Sequence, residues 1–150
     1  MRIALYQPDI PQNTGNIFRL GACLGVSIDI IEPTGFIFDD KRFKRSAMDY
    51  LDHIDYKRHI DWQHFYDWAK EKEFRLILMT TKSKKSLYSF KFYPSDILLF
   101  GRESAGVPEN IHNIVDHRLT IPMKNGVRSI NLSSSVALVL GESIRQINQL

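Results

Sequence analysis

The chain has 150 residues, 43% of them hydrophobic, and a formal net charge of +3. This size and composition fit one domain whose hydrophobic core is stable without a disulfide or a structural metal. The single cysteine, Cys23, excludes an internal disulfide and favours a cytoplasmic protein. No apolar run approaches the roughly 20 residues that cross a bilayer, and no signal peptide is recognisable.

Short β-rich runs alternate with helical patterns along the chain. Strands are predicted at Arg2–Tyr6, Ser27–Ile31, Arg75–Thr80, Asp96–Phe100 and Arg118–Ile121, with a weaker candidate at Ile54–His59. Helices are predicted at Asn16–Leu24, Asp61–Lys72, Pro108–Val115 and Asn131–Gln149. The alternation indicates a single-domain α/β fold over residues 1–150, with a mostly parallel sheet flanked by helices.

Individual residues mark the ends of these helices. Gly25 suits the position after a helix, Asp61 is a plausible N-cap, and Pro108 suits a first helical position. Cys23 lies in an apolar run, which favours a buried packing role over a nucleophile. The last helix carries an apolar stripe that core packing and a subunit contact explain equally well: Val136, Val139, Leu140, Ile144 and Ile147.

Ligands of parallel sheets bind outside the carboxyl ends of the strands, so the loops after the strands are informative. The loop after the first strand contains Asn13, Gly15 and Asn16, where Asn16 can cap the helix and place Arg19 one turn in. A turn with a solvated arginine explains this segment, and so does an arginine held over a ligand anion or ribose.

Two later loops have the same character. Gly101 and Gly106 allow close approach of backbone to a ligand, and Glu103 places a carboxylate between them. Ser129 and Asn131 place polar groups at the start of the last helix, where polar ligands bind readily. Turns and caps explain each loop alone, but three such loops after three strands favour a ligand site.

Two common types of site are disfavoured. The chain has no Gly-x-Gly-x-x-Gly or Walker A pattern, which argues against ordinary dinucleotide and P-loop nucleotide binding. Its five histidines form no i,i+3 or i,i+4 pair, so no metal site is predicted.

Together the three loops resemble the three motifs of the SpoU branch of the SPOUT methyltransferases. Asn13-x-Gly15-Asn16-x-x-Arg19 is similar to motif 1, the segment 100–108 to motif 2, and the segment 121–133 to motif 3. The similarity continues through residues 30–36, Asp39-Asp40-Lys41-Arg42, Asp49-Tyr50 and residues 80–82, and points to the small, YibK-like tRNA (cytidine-34 2′-O)-methyltransferases. The Lys124–Val127 loop departs from the pattern, because relatives often carry a proline there.

The resemblance implies features that periodicity does not show. It implies a C-terminal deep trefoil knot, a homodimer with each active site at the subunit interface, and S-adenosylmethionine (SAM) as cofactor. It implies 2′-O-methylation of wobble nucleotide 34, cytidine or modified uridine, in the anticodon stem-loop of tRNA, with leucine isoacceptors expected. The cofactor-binding residues that it implies are Met79, Gly101, Ile121, Ser129 and Leu132.

The same resemblance assigns a catalytic role to Arg19 and places Glu103 and Asn131 near the chemistry. An arginine base is awkward because guanidinium groups stay protonated at neutral pH. Arg19 is therefore expected to stabilise a developing alkoxide or to bind the adjacent phosphate, with Glu103 or water accepting the proton.

A basic segment is the candidate for RNA contacts, although a solvated helical face explains it as well. Its residues are Lys41, Arg42, Lys44 and Arg45, with Tyr50 available to stack or hydrogen-bond near the target nucleotide. Two further hypotheses remain open: a SpoU-type enzyme acting on another RNA, such as ribosomal RNA, and a non-catalytic RNA-binding dimer.

Overall fold

A computed structural model describes residues 1–38, 41–47 and 50–147 of the chain. Within them, strands and helices alternate as the sequence predicts. The strands are β1 (Arg2–Tyr6), β2 (Ser27–Ile31), β3 (Tyr56–His59), β4 (Arg75–Met79), β5 (Asp96–Phe100) and β6 (His117–Leu119). The helices are α1 (Pro11–Leu24), α2 (Lys41–Ala47), α3 (Trp62–Glu71), α4 (Glu109–Ile114) and α5 (Leu132–Ile147).

The strands form one parallel sheet in the order β3-β2-β1-β5-β4-β6. Parallel strands covered on both faces carry continuous apolar runs, and Ile3–Leu5, Leu76–Leu78 and Ile97–Leu99 are buried throughout. The strand order reverses between β1 and β5, which are direct neighbours. Their carboxyl ends therefore meet at the point where ligands of such sheets bind.

Helices cover both faces of the sheet. On one face α1, α2 and α5 bury Phe18, Phe43 and Val139, and on the other α3 and α4 bury Phe65 and Ile111. Most of the apolar stripe of α5 is buried in the core of its own chain, so core packing accounts for that face. No helix among the described residues is long and apolar enough to cross a membrane.

The start of α1 differs from the prediction, because the helix begins at Pro11 rather than at Asn16. Proline suits a first helical position, since its φ is already helical and its missing N–H would have no partner there. Asn16 is therefore an exposed residue inside the helix and not its cap. Arg19 lies about two turns from the N-terminus instead of one, so it is not near the positive end of the helix.

The other helix ends agree closely with the prediction. Gly25 ends α1 in a left-handed conformation, with φ 64° and its N–H donating to the Gly21 carbonyl. The Asp61 carboxylate caps α3 by accepting a 2.8 Å hydrogen bond from the His64 N–H. Pro108 is the N-cap of α4 rather than its first residue.

The predicted burial of Cys23 is wrong, because its side chain is exposed. The buried side of α1 is formed by residues that include Ile17, Phe18 and Gly21. Cys23 lies two positions after Gly21, and two positions turn a helix by about 200°. The apolar run around Cys23 therefore spans both sides of the helix.

Candidate functional site

The three loops singled out in the sequence meet at the carboxyl edge of the sheet, around a cavity of about 440 Å³. All five residues predicted to bind a cofactor line it: Met79, Gly101, Ile121, Ser129 and Leu132. Glu103 and Asn131 line it as well, whereas Arg19 does not. The predicted cofactor-binding and catalytic residues are thus brought together, with Arg19 as the exception.

The loop after β5 folds back on itself at the cavity wall. The Arg102 N–H donates to the Gly106 carbonyl at 3.1 Å, and the Gly106 N–H donates to the Arg102 carbonyl at 2.9 Å. Gly106 has φ +66°, a left-handed conformation that favours glycine. A Cβ at Gly101 would lie 2.5 Å from the carbonyl carbon of Gly106, so this position has no room for a side chain.

A chain of hydrogen bonds joins the three loops. The Glu103 carboxylate accepts from the backbone N–H of Asp9 at 2.8 Å and from the side-chain amide of Asn13 at 3.1 Å. The Asn13 amide oxygen in turn accepts from the Asn131 side chain at 2.9 Å. The Asn131 oxygen accepts from the Ser133 hydroxyl at 2.7 Å. We call Glu103, Asn13, Asn131 and Ser133 the polar relay.

The relay has a direction that the carboxylate imposes. Because an ionised carboxylate only accepts hydrogen bonds, the NH₂ group of Asn13 faces Glu103 and its oxygen faces Asn131. The oxygen of Asn131 is then turned towards the start of α5, where it also accepts from the Ser134 N–H at 3.3 Å. The charge of Glu103 thus orients the cap of the last helix.

A second link between the first two loops was not anticipated from the sequence. Arg102 forms an ion pair with Asp9, with 2.8 Å between Nη2 and Oδ1, and the backbone N–H of Ser104 also donates to Asp9. Burial alone would raise the pKa of Asp9, but the hydrogen bonds from Arg102 and Ser104 outweigh it and lower that pKa below its ordinary value. Asp9 and Arg102 follow β1 and β5, whose adjacency no sequence pattern indicated.

His112 is another cavity residue that the sequence did not single out. It lies on α4, is only 7% exposed, and places Nε2 3.4 Å from the Thr80 hydroxyl. Burial, and next the charge of Lys82, hold the pKa of its imidazole below the ordinary value. A single histidine within a short helix offered no pattern that would have marked it.

Arg19 lies on the exposed side of α1, with its guanidinium carbon 5.4 Å from the centre of the Tyr50 ring. It follows Asn13 by six positions, which places it about 9 Å further along the helix and roughly 120° around it. Asn13 faces the relay, so the two side chains leave the helix in different directions. This geometry separates the predicted catalytic arginine from the cavity of its own chain.

The predicted RNA contacts are described only in part. Lys41 and Arg45 are exposed on α2, which is anchored by the buried Phe43 and Ala47. The side chains of Arg42 and Lys44 lie outside the described part of the chain, as do Asp39, Asp40 and Asp49. Tyr50 is half-buried beside Arg19.

Comparison with known proteins places this site in a family. The model of the SpoU rRNA Methylase family matches residues 1–141. The chain belongs to the SpoU methylase family. The alternating α/β architecture and the three ordered loops of this SpoU methylase agree with the resemblance seen in its sequence.

Individual relatives are similar over nearly the whole chain. A tRNA (cytidine(34)-2'-O)-methyltransferase of Beijerinckia indica is 50% identical over 148 residues, covering 99% of this chain and 92% of the relative. A solved structure described as "Structural insights into the 2-OH methylation of C/U34 on tRNA" is 37% identical with a TM-score of 0.92, covering 97% and 94%. The AdoMet complex of the SpoU methyltransferase AviRb from Streptomyces viridochromogenes shares the fold, with a TM-score of 0.90 at 22% identity, covering 97% and 60%.

Proposed function

We propose that this SpoU methylase is a tRNA (cytidine(34)-2'-O)-methyltransferase, which transfers the methyl group of SAM to the ribose 2′-oxygen of the wobble nucleotide. The observation that carries the proposal is 50% identity to such an enzyme over 99% of the chain. The convergence of the three family loops on one cavity supports it independently. The proposed unit is a single domain over residues 1–150 that works in the cytoplasm.

The cavity fits SAM in size and chemistry. Its volume of about 440 Å³ lies within the range of small-molecule sites, about 300–1,000 Å³. Met79, Ile121 and Leu132 supply apolar walls for an adenine ring, and Ser129 supplies a hydroxyl. At Gly101 the absence of a side chain lets the backbone of Gly106 pack closely against it, which shapes the cavity wall. SAM would supply an electrophilic methyl group.

In this mechanism the protein mainly aligns the ribose oxygen with the methyl group, because the reaction is an in-line displacement. Arg19 stabilises the charge that develops on the 2′-oxygen or holds the adjacent phosphate. Asn131 positions the start of α5 through its place in the polar relay. Both oxygens of Glu103 accept hydrogen bonds from its own chain, which favours a positioning role for Glu103 and leaves water as the proton acceptor.

Replacing Glu103 with glutamine tests that assignment. Glutamine keeps the shape but adds a donor where Asp9 and Asn13 already donate, so one relay hydrogen bond must be lost or the relay amides must turn over. We expect a fall in kcat of about tenfold with the pH profile retained, because hydrogen bonds to an ionised carboxylate, worth about 1.5–3 kcal/mol each, give way to neutral ones worth about 1 kcal/mol. Steady-state kinetics across pH measure it.

The matched control is Glu71→Gln, which changes an exposed carboxylate beside Lys72, outside the cavity lining, and should leave kcat unchanged. A proton acceptor contributes about 10²–10⁴-fold. A loss of that size in Glu103→Gln, together with loss of the acidic limb of the pH profile, would contradict the positioning role.

Two features support a homodimer whose active sites combine both subunits. Arg19 lies outside the cavity of its own chain, so it could act on the cavity of a partner. In addition, α5 exposes Ala137, Leu138 and Gly141 on one side, and nothing lies within 4 Å of a Cβ built at Gly141. Small and apolar residues of this kind allow another backbone to pack closely.

The pairing of β6 supports the proposed C-terminal knot. On one side of β6, the Thr80 N–H donates to the Leu119 carbonyl at 2.8 Å. On the other side, the Thr120 N–H donates to the Lys85 carbonyl at 2.8 Å, and the Leu87 N–H donates to the Thr120 carbonyl at 3.0 Å. Residues 81–86 connect these two sides and therefore pass around the end of β6. The chain that leads from β6 towards α5 then runs between the end of β4 and residues 85–87.

The basic residues of α2 are the proposed contacts to tRNA phosphates, with the exposed Lys41 and Arg45 and also Arg42 as candidates, and Tyr50 is proposed to lie near the target nucleotide. Replacing Arg45 with alanine is expected to weaken tRNA binding and to reduce the slope of log affinity against log salt by about one. Filter binding at several salt concentrations measures both. A side chain on a merely solvated surface would leave affinity and slope unchanged.

The function itself is tested by incubating the purified protein with labelled SAM and total tRNA, and then mapping the modified nucleotide. A 2′-O-methyl group at position 34 is the expected result. Label that enters ribosomal RNA alone would support a different RNA substrate, and SAM binding without transfer to any RNA would support a non-catalytic RNA-binding dimer.

A further inference from the structure

His112 is held against the cavity wall, although the proposed mechanism gives it no role. Its ring is 7% exposed, and its Nε2 lies 3.4 Å from the Thr80 hydroxyl oxygen. That oxygen also accepts from the Lys82 N–H at 3.2 Å. The Thr80 hydroxyl is therefore held in place by the backbone of the loop after β4, and the His112 imidazole packs against it.

The two cationic side chains of the cavity are each paired with a carboxylate, whereas the carboxylate of Glu103 is held by neutral donors. Lys82 lies 3.6 Å from Glu109, Arg102 is paired with Asp9, and Glu103 accepts two hydrogen bonds. Protonation of His112 would add a positive charge to this lining, in which Lys82 and Arg102 are already paired.

The surroundings of His112 oppose such a charge. Lys82 faces it from the loop after β4, Glu109 from its own helix and Arg118 from β6. Burial and Lys82 hold the pKa of His112 below its ordinary value, Glu109 opposes them, and Arg118 adds to the lowering. The His112 imidazole is therefore neutral at pH 7 and adds no charge to the cavity.

We propose that His112 is a specificity-determining residue, whose neutral imidazole keeps the cavity from disfavouring positively charged SAM relative to its product, S-adenosylhomocysteine, which lacks the sulfonium charge. This inference rests on the proposed function. The two ligands differ in the methyl group and in the sulfonium charge, so a protonated His112 would repel SAM and leave the product nearly unaffected. Across a cavity of this size, like charges at an effective dielectric of about 20 lower affinity by about tenfold or more.

The test measures the affinities of SAM and S-adenosylhomocysteine by calorimetry between about pH 5 and pH 8.5, where imidazoles titrate. In the wild-type protein the ratio of the SAM Kd to the product Kd should rise as the pH falls through the lowered pKa of His112, below the ordinary imidazole value of about 6.5, and should approach about tenfold once His112 is protonated. His112→Gln should remove this rise. The ligands' amino groups titrate equally with both proteins, so the difference between the proteins isolates His112.

The matched control is His117→Gln. His117 also has a pKa lowered by burial, and next by Arg75, but it does not line the cavity. This variant should keep the pH dependence of the wild-type protein. A ratio that is flat in the wild-type protein, or that rises equally in His112→Gln, would overturn the proposal while leaving the proposed function intact.

A second measurement needs no variant. If protonation of His112 weakens SAM binding, SAM binding must equally oppose protonation of His112. SAM should therefore lower the pKa of the His112 imidazole further than S-adenosylhomocysteine does, and an NMR titration of the ring measures both shifts. Equal effects of the two ligands would overturn the proposal. Failure of both ligands to bind would overturn it together with the proposed cofactor.

Discussion

Replacing Arg19 with alanine is expected to lower the rate of tRNA methylation by about 10²–10³-fold and to leave the affinity for SAM unchanged. The guanidinium lies over Tyr50 and outside the cavity, so its loss removes no contact with a cofactor bound there. Lysine keeps the charge but not the planar pair of donors, and Arg19→Lys should also be slow. Single-turnover kinetics and calorimetry measure the two effects, and near-normal turnover in Arg19→Lys would contradict both roles considered for Arg19.

Mixing two inactive variants shows which subunit uses Arg19. The partner variant is Ser129→Arg, used once calorimetry shows that its cavity no longer binds SAM. In a symmetric dimer, random exchange with Arg19→Ala makes half of the dimers mixed, and each mixed dimer has one site with an intact cavity and an intact arginine from the other subunit. Activity should then recover to about a quarter of the wild-type value. No recovery after subunit exchange would mean that Arg19 serves its own chain.

The sequence indicated which loops form the cavity wall, because they directly follow strands, whereas Met79, Ile121 and Leu132 came only from the family resemblance. Gly101 and Ile121 come within two residues of the ends of β5 and β6, and a parallel sheet brings such ends to one edge. The predicted strands agreed with the observed ones to within about two residues, so these loops fell where expected. The resemblance to a known family then gave each loop a role.

Contacts that depend on the exact residue at which a helix begins could not be predicted from the order of strands and loops. Asn13 and Asn131 are 118 positions apart, and their hydrogen bond requires α1 to begin at Pro11. The predicted start at Asn16 left Asn13 in a turn and placed Arg19 too close to the helix end. A shift of a few residues changes which side chains share a side of a helix, so the separation of Arg19 from the cavity appeared only in the structure.

Replacing Gly101 with alanine is expected to reduce SAM binding and methyl transfer by about 10²-fold, since a displacement of about 1 Å at a site can cost that much. The new Cβ would lie 2.5 Å and 2.7 Å from the carbonyl carbon and Cα of Gly106. Both are backbone atoms, held by the two hydrogen bonds between Arg102 and Gly106. The loop after β5 must therefore open, and we also expect the free energy of unfolding to fall by about 1–3 kcal/mol.

Gly106→Ala is the matched control in the same loop. A Cβ at Gly106 meets nothing within 4 Å, so the cost is limited to holding alanine at φ +66°, about 1–2 kcal/mol. The two variants should thus lose similar stability in urea titrations, while only Gly101→Ala loses most of its affinity for SAM in calorimetry. Equal affinities in the two variants would mean that the close contact between Gly101 and Gly106 serves folding alone. A selective loss in Gly101→Ala would instead identify this contact as the feature that shapes the cavity for its ligand.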